Sequence, residues 1–263
     1  MVVTIPIYNQ IGFNYNSTRK ADPFITQTII NSLEAVPKVK YLDLACGTGN
    51  YTYAYHLNGL DFVGVDESKL MIEQAALNQP QLRWAIGNAE NLPFENSVFN
   101  GITCTNAIHH FKNLQLVFKE CVRVLKSGNL VIFCSTREQM KNYWLKHYFP
   151  KMMRRSTEQM PTLNAITDSL ERAGFQNIKT SPYFVQSDLQ DLFLYSGKNR
   201  PDLYLDEGFR RNISSFASLA ETDEVNNGIE MLKVDIENGT IHKLIERSHS
   251  NAGDYLFVSG SRT

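Results

Sequence analysis

Nowhere does this chain approach the roughly 18 consecutive apolar residues of a membrane-spanning helix, and its first residues combine neither a basic leader nor a long apolar core. The expectation is a soluble, unexported, cytoplasmic protein with no membrane partner. Cysteine is scarce as well. Cys46, Cys104, Cys121 and Cys134 stand in or beside apolar segments without C-x-x-C spacing, a pattern of reduced core thiols rather than of a disulfide framework or a metal site. No metal is expected. Neither sign of charge prevails, because 26 Lys and Arg face 27 Asp and Glu for a net charge of -1. No global field then draws nucleic acid or an anionic membrane, and such a partner would need a local patch. Internal repeats and low-complexity tracts are absent.

What is present is concentrated in Tyr41 to Asn50, Y-L-D-L-A-C-G-T-G-N: an apolar strand carrying Asp43 that runs into a glycine turn. Asp43, Ala45, Gly47 and Gly49 occupy alternate positions, so the strand ends in a tight bend whose backbone N–H groups can approach a ligand without a Cβ in the way. The dinucleotide fingerprint G-x-G-x-x-G would need a third glycine where Thr52 stands. An acid inside the strand would also repel a pyrophosphate and attract an ammonium or sulfonium, so the turn favours a cationic nucleoside. A second apolar strand ends in Asp66, 23 positions after Asp43, the spacing at which a β-α-β unit places a ribose-binding acid. A third stretch, Leu82 to Ile86, closes with Gly87-Asn88-Ala89-Glu90, which brings an amide side chain to another strand end.

Hydrophobic periodicity predicts strands near 39–45, 61–66, 82–86, 99–105 and 129–135, with helices near 50–57, 68–77 and 113–125. Thr162 to Ala173 reads as a helix stopped by Gly174, and Ile178 to Val185 and Tyr255 to Ser259 read as further strands. The whole is a doubly wound α/β sheet. One domain is expected over 1–263, with a core of about 38–135, 162–185 and 254–263 and helical cap insertions at 1–37, 136–161 and 186–253.

The motifs L-D-L-A-C-G-T-G, G-V-D-E-S-K-L-M, G-N-A-E-N-L-P-F and R-V-L-K-S-G-N, in that order, resemble those of the class I S-adenosylmethionine-dependent methyltransferases, in particular the small-molecule, type 11-like subgroup. The resemblance implies a Rossmann-like, seven-stranded, mostly parallel sheet with an antiparallel last strand. It implies S-adenosylmethionine as donor and S-adenosylhomocysteine as product. It also implies that Asp43, Ala45, Gly47 and Gly49 surround the methionine moiety, that Asp66, with Glu67 beside it, holds the ribose, and that Asn88 and the Ala89 N–H read the adenine edge. Met71, one helical turn past Asp66, is a candidate to pack on adenine. Tyr8, Tyr15 and Arg19 resemble a leading segment folded over the donor, Arg19 facing its carboxylate. The chain departs from the family where Ala45 replaces the commoner first glycine, where Asn88 and Asn100 replace aspartate, and where Ser127-Gly128-Asn129 replaces a Pro-Gly-Gly turn.

Methyl transfer from a sulfonium is an in-line displacement that requires positioning and no enzyme nucleophile. A general base is needed only where the acceptor loses a proton, and the candidates are His109 and His110, just beyond the fourth strand, with Asn106 lining the donor. Packing or helix capping is the competing role for either imidazole. Cys46, inside the turn, has no neighbouring base to activate it.

The expected acceptor is a small molecule offering an O, N or C nucleophile. Arg137, Lys141, Lys146, Lys151, Arg154 and Arg155, interleaved with Tyr143, Trp144, Tyr148 and Phe149, admit an anionic acceptor. They equally describe a solvated face over packed aromatics. The same basic run is what favours RNA or tRNA methylation as the alternative, against the absence of an N-P-P-Y motif. A non-catalytic donor-binding protein would share Asp43, Gly47 and Asp66. Oligomeric state leaves no mark in the sequence.

Overall fold

The computed structural model describes residues 18–263. Tyr8 and Tyr15 therefore lie outside the described residues. The strands are β1 Lys40–Leu44, β2 Asp61–Asp66, β3 Arg83–Ile86, β4 Phe99–Thr105, β5 Leu125–Cys134, β6 Gln176–Tyr183 and β7 Tyr255–Arg262. They form one sheet in the order β3-β2-β1-β4-β5-β7-β6. The first five run parallel, and β7 lies antiparallel between β5 and β6. This is the doubly wound sheet that the periodicity predicts and the Rossmann-like form that the resemblance implies, with the antiparallel last strand inserted between β5 and β6 rather than at an edge.

The strand β5 begins at Leu125 rather than near 129. Its pairing with β4 shifts register between Phe99↔Leu125 and Gly101↔Asn129, an irregularity that takes in Gly128 at φ +132° and hides the start of the strand from a period-2 reading.

Alternation along the strands builds two cores. In β5, Leu130, Ile132 and Cys134 face one layer while Val131 and Phe133 face the other. The helices α1 Pro23–Leu33 and α2 Asn50–Leu57 cover the Phe133 side through Ile25, Ile29, Tyr51 and Tyr55. The helix α3 Lys69–Asn78 follows β2, and α4 Leu114–Val124 together with α7 Leu163–Ala173 covers the opposite side through Val117, Phe118, Ile166 and Leu170. Each such fully buried side chain contributes about 1.5–3 kcal/mol. The stop signals act as expected: Thr162 accepts the Ala165 N–H at 3.0 Å, and Gly174 closes α7 at φ +106°.

Between β5 and β6 the chain adds α5 Arg137–Met140 and α6 Pro150–Gln159 ahead of α7. Between β6 and β7 it adds α8 Glu207–Arg211, α9 Ser214–Ser218, α10 Thr222–Glu237 and α11 Thr240–Arg247. These helices join the Phe133-side core, where Tyr143, Trp144, Tyr148 and Phe149 are all buried. Several of the basic residues interleaved with them are engaged locally. Lys151 and Arg155 pair with Glu221 at 2.8 and 2.6 Å, and Arg137 donates to the Met160 and Glu158 carbonyls.

Candidate functional site

The turn after β1 is a tight left-handed bend, with Ala45 at φ +56°, Gly47 at +56° and Gly49 at +79°. A Cβ on Gly47 would meet nothing within 4 Å, whereas one on Gly49 would lie 2.1 Å from the Trp84 ring. The two glycines serve different ends: Gly47 leaves room in a cavity, and Gly49 makes way for a tryptophan of β3. Ala45 accepts about 1–2 kcal/mol of left-handed strain that glycine would avoid.

The carboxylate of Asp66 accepts the Gly47 N–H at 2.9 Å and the Ser68 N–H at 2.8 Å. One acid thus fixes the turn and the start of α3, and a carboxylate's four lone-pair sites leave it room to accept a ligand hydroxyl. Desolvation raises its pKa against the backbone hydrogen bonds from Ser68, Gly47 and Glu67. Asp43 behaves differently. It is buried, accepts Thr52 Oγ1 at 2.6 Å and Thr103 Oγ1 at 3.1 Å, and its pKa rises to about 6, chiefly by desolvation against those hydroxyls. Its contacts tie β1 to α2 and β4, and neither Asp43 nor Gly49 lines the cavity in front of the turn. Cys46 does line it, but burial and the two aspartates push its thiol far up, so it is protonated and inert.

That cavity lies at the carboxyl ends of β1 to β4, where β1 has β2 on one side and β4 on the other, the topological switch point of the sheet. Arg19, Ala45, Gly47, Asp66, Glu67, Met71, Asn88, Ala89, Asn106 and His110, all predicted from the sequence, converge on it. Met71 is 1% exposed and so also serves the core. The Asn88 side-chain carbonyl accepts the Glu90 N–H at 2.7 Å, which orients the amide at the strand end. Asn106, at φ +53°, donates its backbone N–H to Phe133, while its side-chain Nδ2 is buried without a hydrogen-bond partner. A buried donor of this kind marks a place for a ligand acceptor.

Sequence reasoning missed Asp191. It is 1% exposed and receives Arg19 Nε at 2.5 Å and the Tyr51 hydroxyl at 3.2 Å. Its one sequence signal was an acid among Leu189, Leu192, Phe193 and Leu194, since an acid is seldom buried unless paired. Ser68, Phe111 and Lys112 also line the cavity unannounced.

His109 and His110 sit on a 3-10 turn, Ile108–His110, with ring centroids 4.0 Å apart. His110 borders this cavity; His109 instead lines two others, under α6 and α9. Burial, His110 and Arg19 hold the His109 pKa well below the ordinary imidazole value, so it is neutral at pH 7. None of the six basic residues of 136–161 lines any of the three cavities. Among the described residues no helix is long and apolar enough to cross a membrane, and no cluster of His, Cys, Asp and Glu is arranged to hold a metal.

The family model described as methyltransferase domain matches residues 42–133. A putative methyltransferase from an antibiotic biosynthesis pathway of Anabaena variabilis superposes with a TM-score of 0.83 at 34% identity, over 92% of this chain and 98% of that one. Phosphoethanolamine N-methyltransferase 2 of Haemonchus contortus shares the fold at a TM-score of 0.61 and 16% identity, over 98% of this chain and 56% of that one. The demethylmenaquinone methyltransferase of Thermotoga maritima is 38% identical over 103 residues, 38% of this chain and 44% of the relative. The chain spans about half the length, or less, of the first curated relatives it matches. By its near full-length similarity to the Anabaena protein and its matched domain, the chain belongs to the class I S-adenosylmethionine-dependent methyltransferases, of the type 11 kind.

Proposed function

We propose that the protein transfers the methyl group of S-adenosylmethionine to an O, N or C nucleophile of a small molecule. The observation that carries this reading is that the cavity at the ends of β1 to β4 adjoins two further cavities beneath α6 and α9, sharing His110 with one and Arg19 and Asn106 with the other. A protein that only bound the donor would have no use for a second cavity beside it.

The residues present fit the donor. Asp66 offers its remaining lone pairs to the ribose hydroxyls, Asn88 and the Ala89 N–H face the adenine edge, and Met71 backs the base. The room left by the missing Cβ of Gly47 accommodates the methionine chain beside Ala45, and Arg19, steered by Asp191, faces its carboxylate. The orphaned Asn106 amide stands at the mouth of the acceptor chamber. S-adenosylmethionine, when bound, supplies an electrophilic sulfonium methyl. Asn106 and the walls of the chamber align the acceptor with it and keep water out, and such positioning lowers a barrier by up to about 7–11 kcal/mol. His109, neutral at pH 7, takes the proton of an acceptor that must lose one. The helices inserted at 136–161 and 186–253 form the cap over this chamber.

The test is calorimetric titration with S-adenosylmethionine and S-adenosylhomocysteine. Micromolar binding of both is expected, and no binding of either rejects the reading.

A further inference from the structure

The two cavities beneath α6 and α9 adjoin along a shared wall of His109, Met160, Ser214 and Ser215, and together they are the acceptor chamber of the methyl-transfer reading. The larger part, about 400 Å³, adds Ser156, Ser218 and Gln159, and lies within the size range of sites for drug-sized molecules. The polar wall is built rather than incidental: Ser156 Oγ and Ser215 Oγ are buried and 2.5 Å apart, which joins α6 to α9. The inner part has an apolar side, Met140, Phe193, Leu194 and Ile213, and a polar one that includes Asn106, Ser135 and Tyr255. Arg19 is the one charged residue among the described residues that line these two cavities, and its guanidinium is bonded to Asp191. Lys151 and Arg155, which the sequence offered to an anion, are spent on Glu221.

We infer that the acceptor is an uncharged molecule with an apolar body, whose O–H or N–H group is the nucleophile and whose other polar groups are read by the serine cluster. This rests on the methyl-transfer reading above. An anion in this chamber would be desolvated with Arg19, already paired with Asp191, as its one protein cation among the described lining residues, which is unfavourable. A neutral acceptor avoids that and balances the reaction. The acceptor lone pair forms a bond to the methyl carbon while the carbon–sulfur bond breaks and its electron pair returns to sulfur. The proton leaves the acceptor atom for the His109 imidazole, so the site holds one positive charge before and after transfer.

The test is calorimetry on the full chain saturated with S-adenosylhomocysteine, titrated with methyl 4-hydroxybenzoate and methyl 4-hydroxycinnamate against the corresponding carboxylates. The neutral esters are expected to bind at least tenfold more tightly than the carboxylates. Ser214→Lys, at the half-buried chamber wall, is expected to reverse that order without altering affinity for S-adenosylhomocysteine. Carboxylates that bind as tightly as the esters, no ester binding at all, or a Ser214→Lys variant with the preference unchanged would each overturn the neutral-acceptor inference alone. Failure to bind S-adenosylhomocysteine strikes the methyl-transfer reading and the inference with it.

Discussion

Asp191 holds Arg19 by two contacts, Nε to Oδ1 at 2.5 Å and Nη2 to Oδ2 at 3.3 Å, across 172 residues of chain. The acid comes from the segment between β6 and β7, the base from the segment ahead of α1, and the Tyr51 hydroxyl of α2 closes the group at 3.2 Å. One buried carboxylate thereby locks a late insertion onto the rim of the cavity at the carboxyl ends of β1 to β4.

Asp191→Asn is expected to cost about 2 kcal/mol of stability, less than the 3–5 kcal/mol of breaking a fully buried pair, because Arg19 remains 16% exposed. It should also raise KM for S-adenosylmethionine more than it lowers kcat. Thermal denaturation and steady-state kinetics check both effects, and a kcat loss without a KM change would remove Arg19 from the donor site.

Replacing Asp66 should weaken donor binding by about 1.5–3 kcal/mol, the worth of hydrogen bonds to a charged group. Since Asp66 also holds the Gly47 and Ser68 N–H groups, Asp66→Asn, which keeps an acceptor, should lose less than Asp66→Ala. Equal affinities for wild type and Asp66→Ala, by calorimetry, would remove it from the ribose.

Asp43 titrates near 6 instead of 3.8 because burial disfavours its charge. The folded state therefore binds more protons than the unfolded state between these values, and stability falls as pH rises from about 3.8 to 6, by roughly 3 kcal/mol in all. Asp43→Asn should abolish this slope in denaturant unfolding. A sulfonium near the turn favours the ionised acid, so affinity for S-adenosylmethionine relative to the neutral S-adenosylhomocysteine should rise with pH through 6. A pH-independent ratio would place the sulfonium away from Asp43.

His109→Ala is expected to slow turnover by about 10²–10⁴-fold if the acceptor loses its proton during transfer, with donor affinity unchanged. Because His109 titrates well below 6.5, kcat/KM for the wild type should be level from pH 6.5 upward and fall only on the acid side. A limb centred near 7 would point to another base.

Gly49→Ala should destabilise the fold by at least about 2 kcal/mol, since it combines left-handed strain with a clash on Trp84. Trp84→Leu in the same chain should recover part of the loss in thermal denaturation.

The sequence by itself determined the sheet, the turn after β1, and the acids and amides at its strand ends. Those features are local: a period of two along each strand, a glycine turn, and the 23-residue spacing of a β-α-β unit place Asp66, Asn88 and Asn106 at the carboxyl edge whatever the rest of the chain does. Sequence could not separate Gly47 from Gly49, because the distinction lies in a tryptophan from a neighbouring strand, nor could it show that Asp43 spends its oxygens on Thr52 and Thr103. Only the tertiary structure decided that Asp191 pairs with Arg19, that Glu221 pairs with Lys151 and Arg155, and that Ser156 and Ser215 meet in the wall beneath α6 and α9. Each of these is a long-range contact set by how the inserted helices pack on one another, and residue periodicity carries no record of which helix a side chain will face.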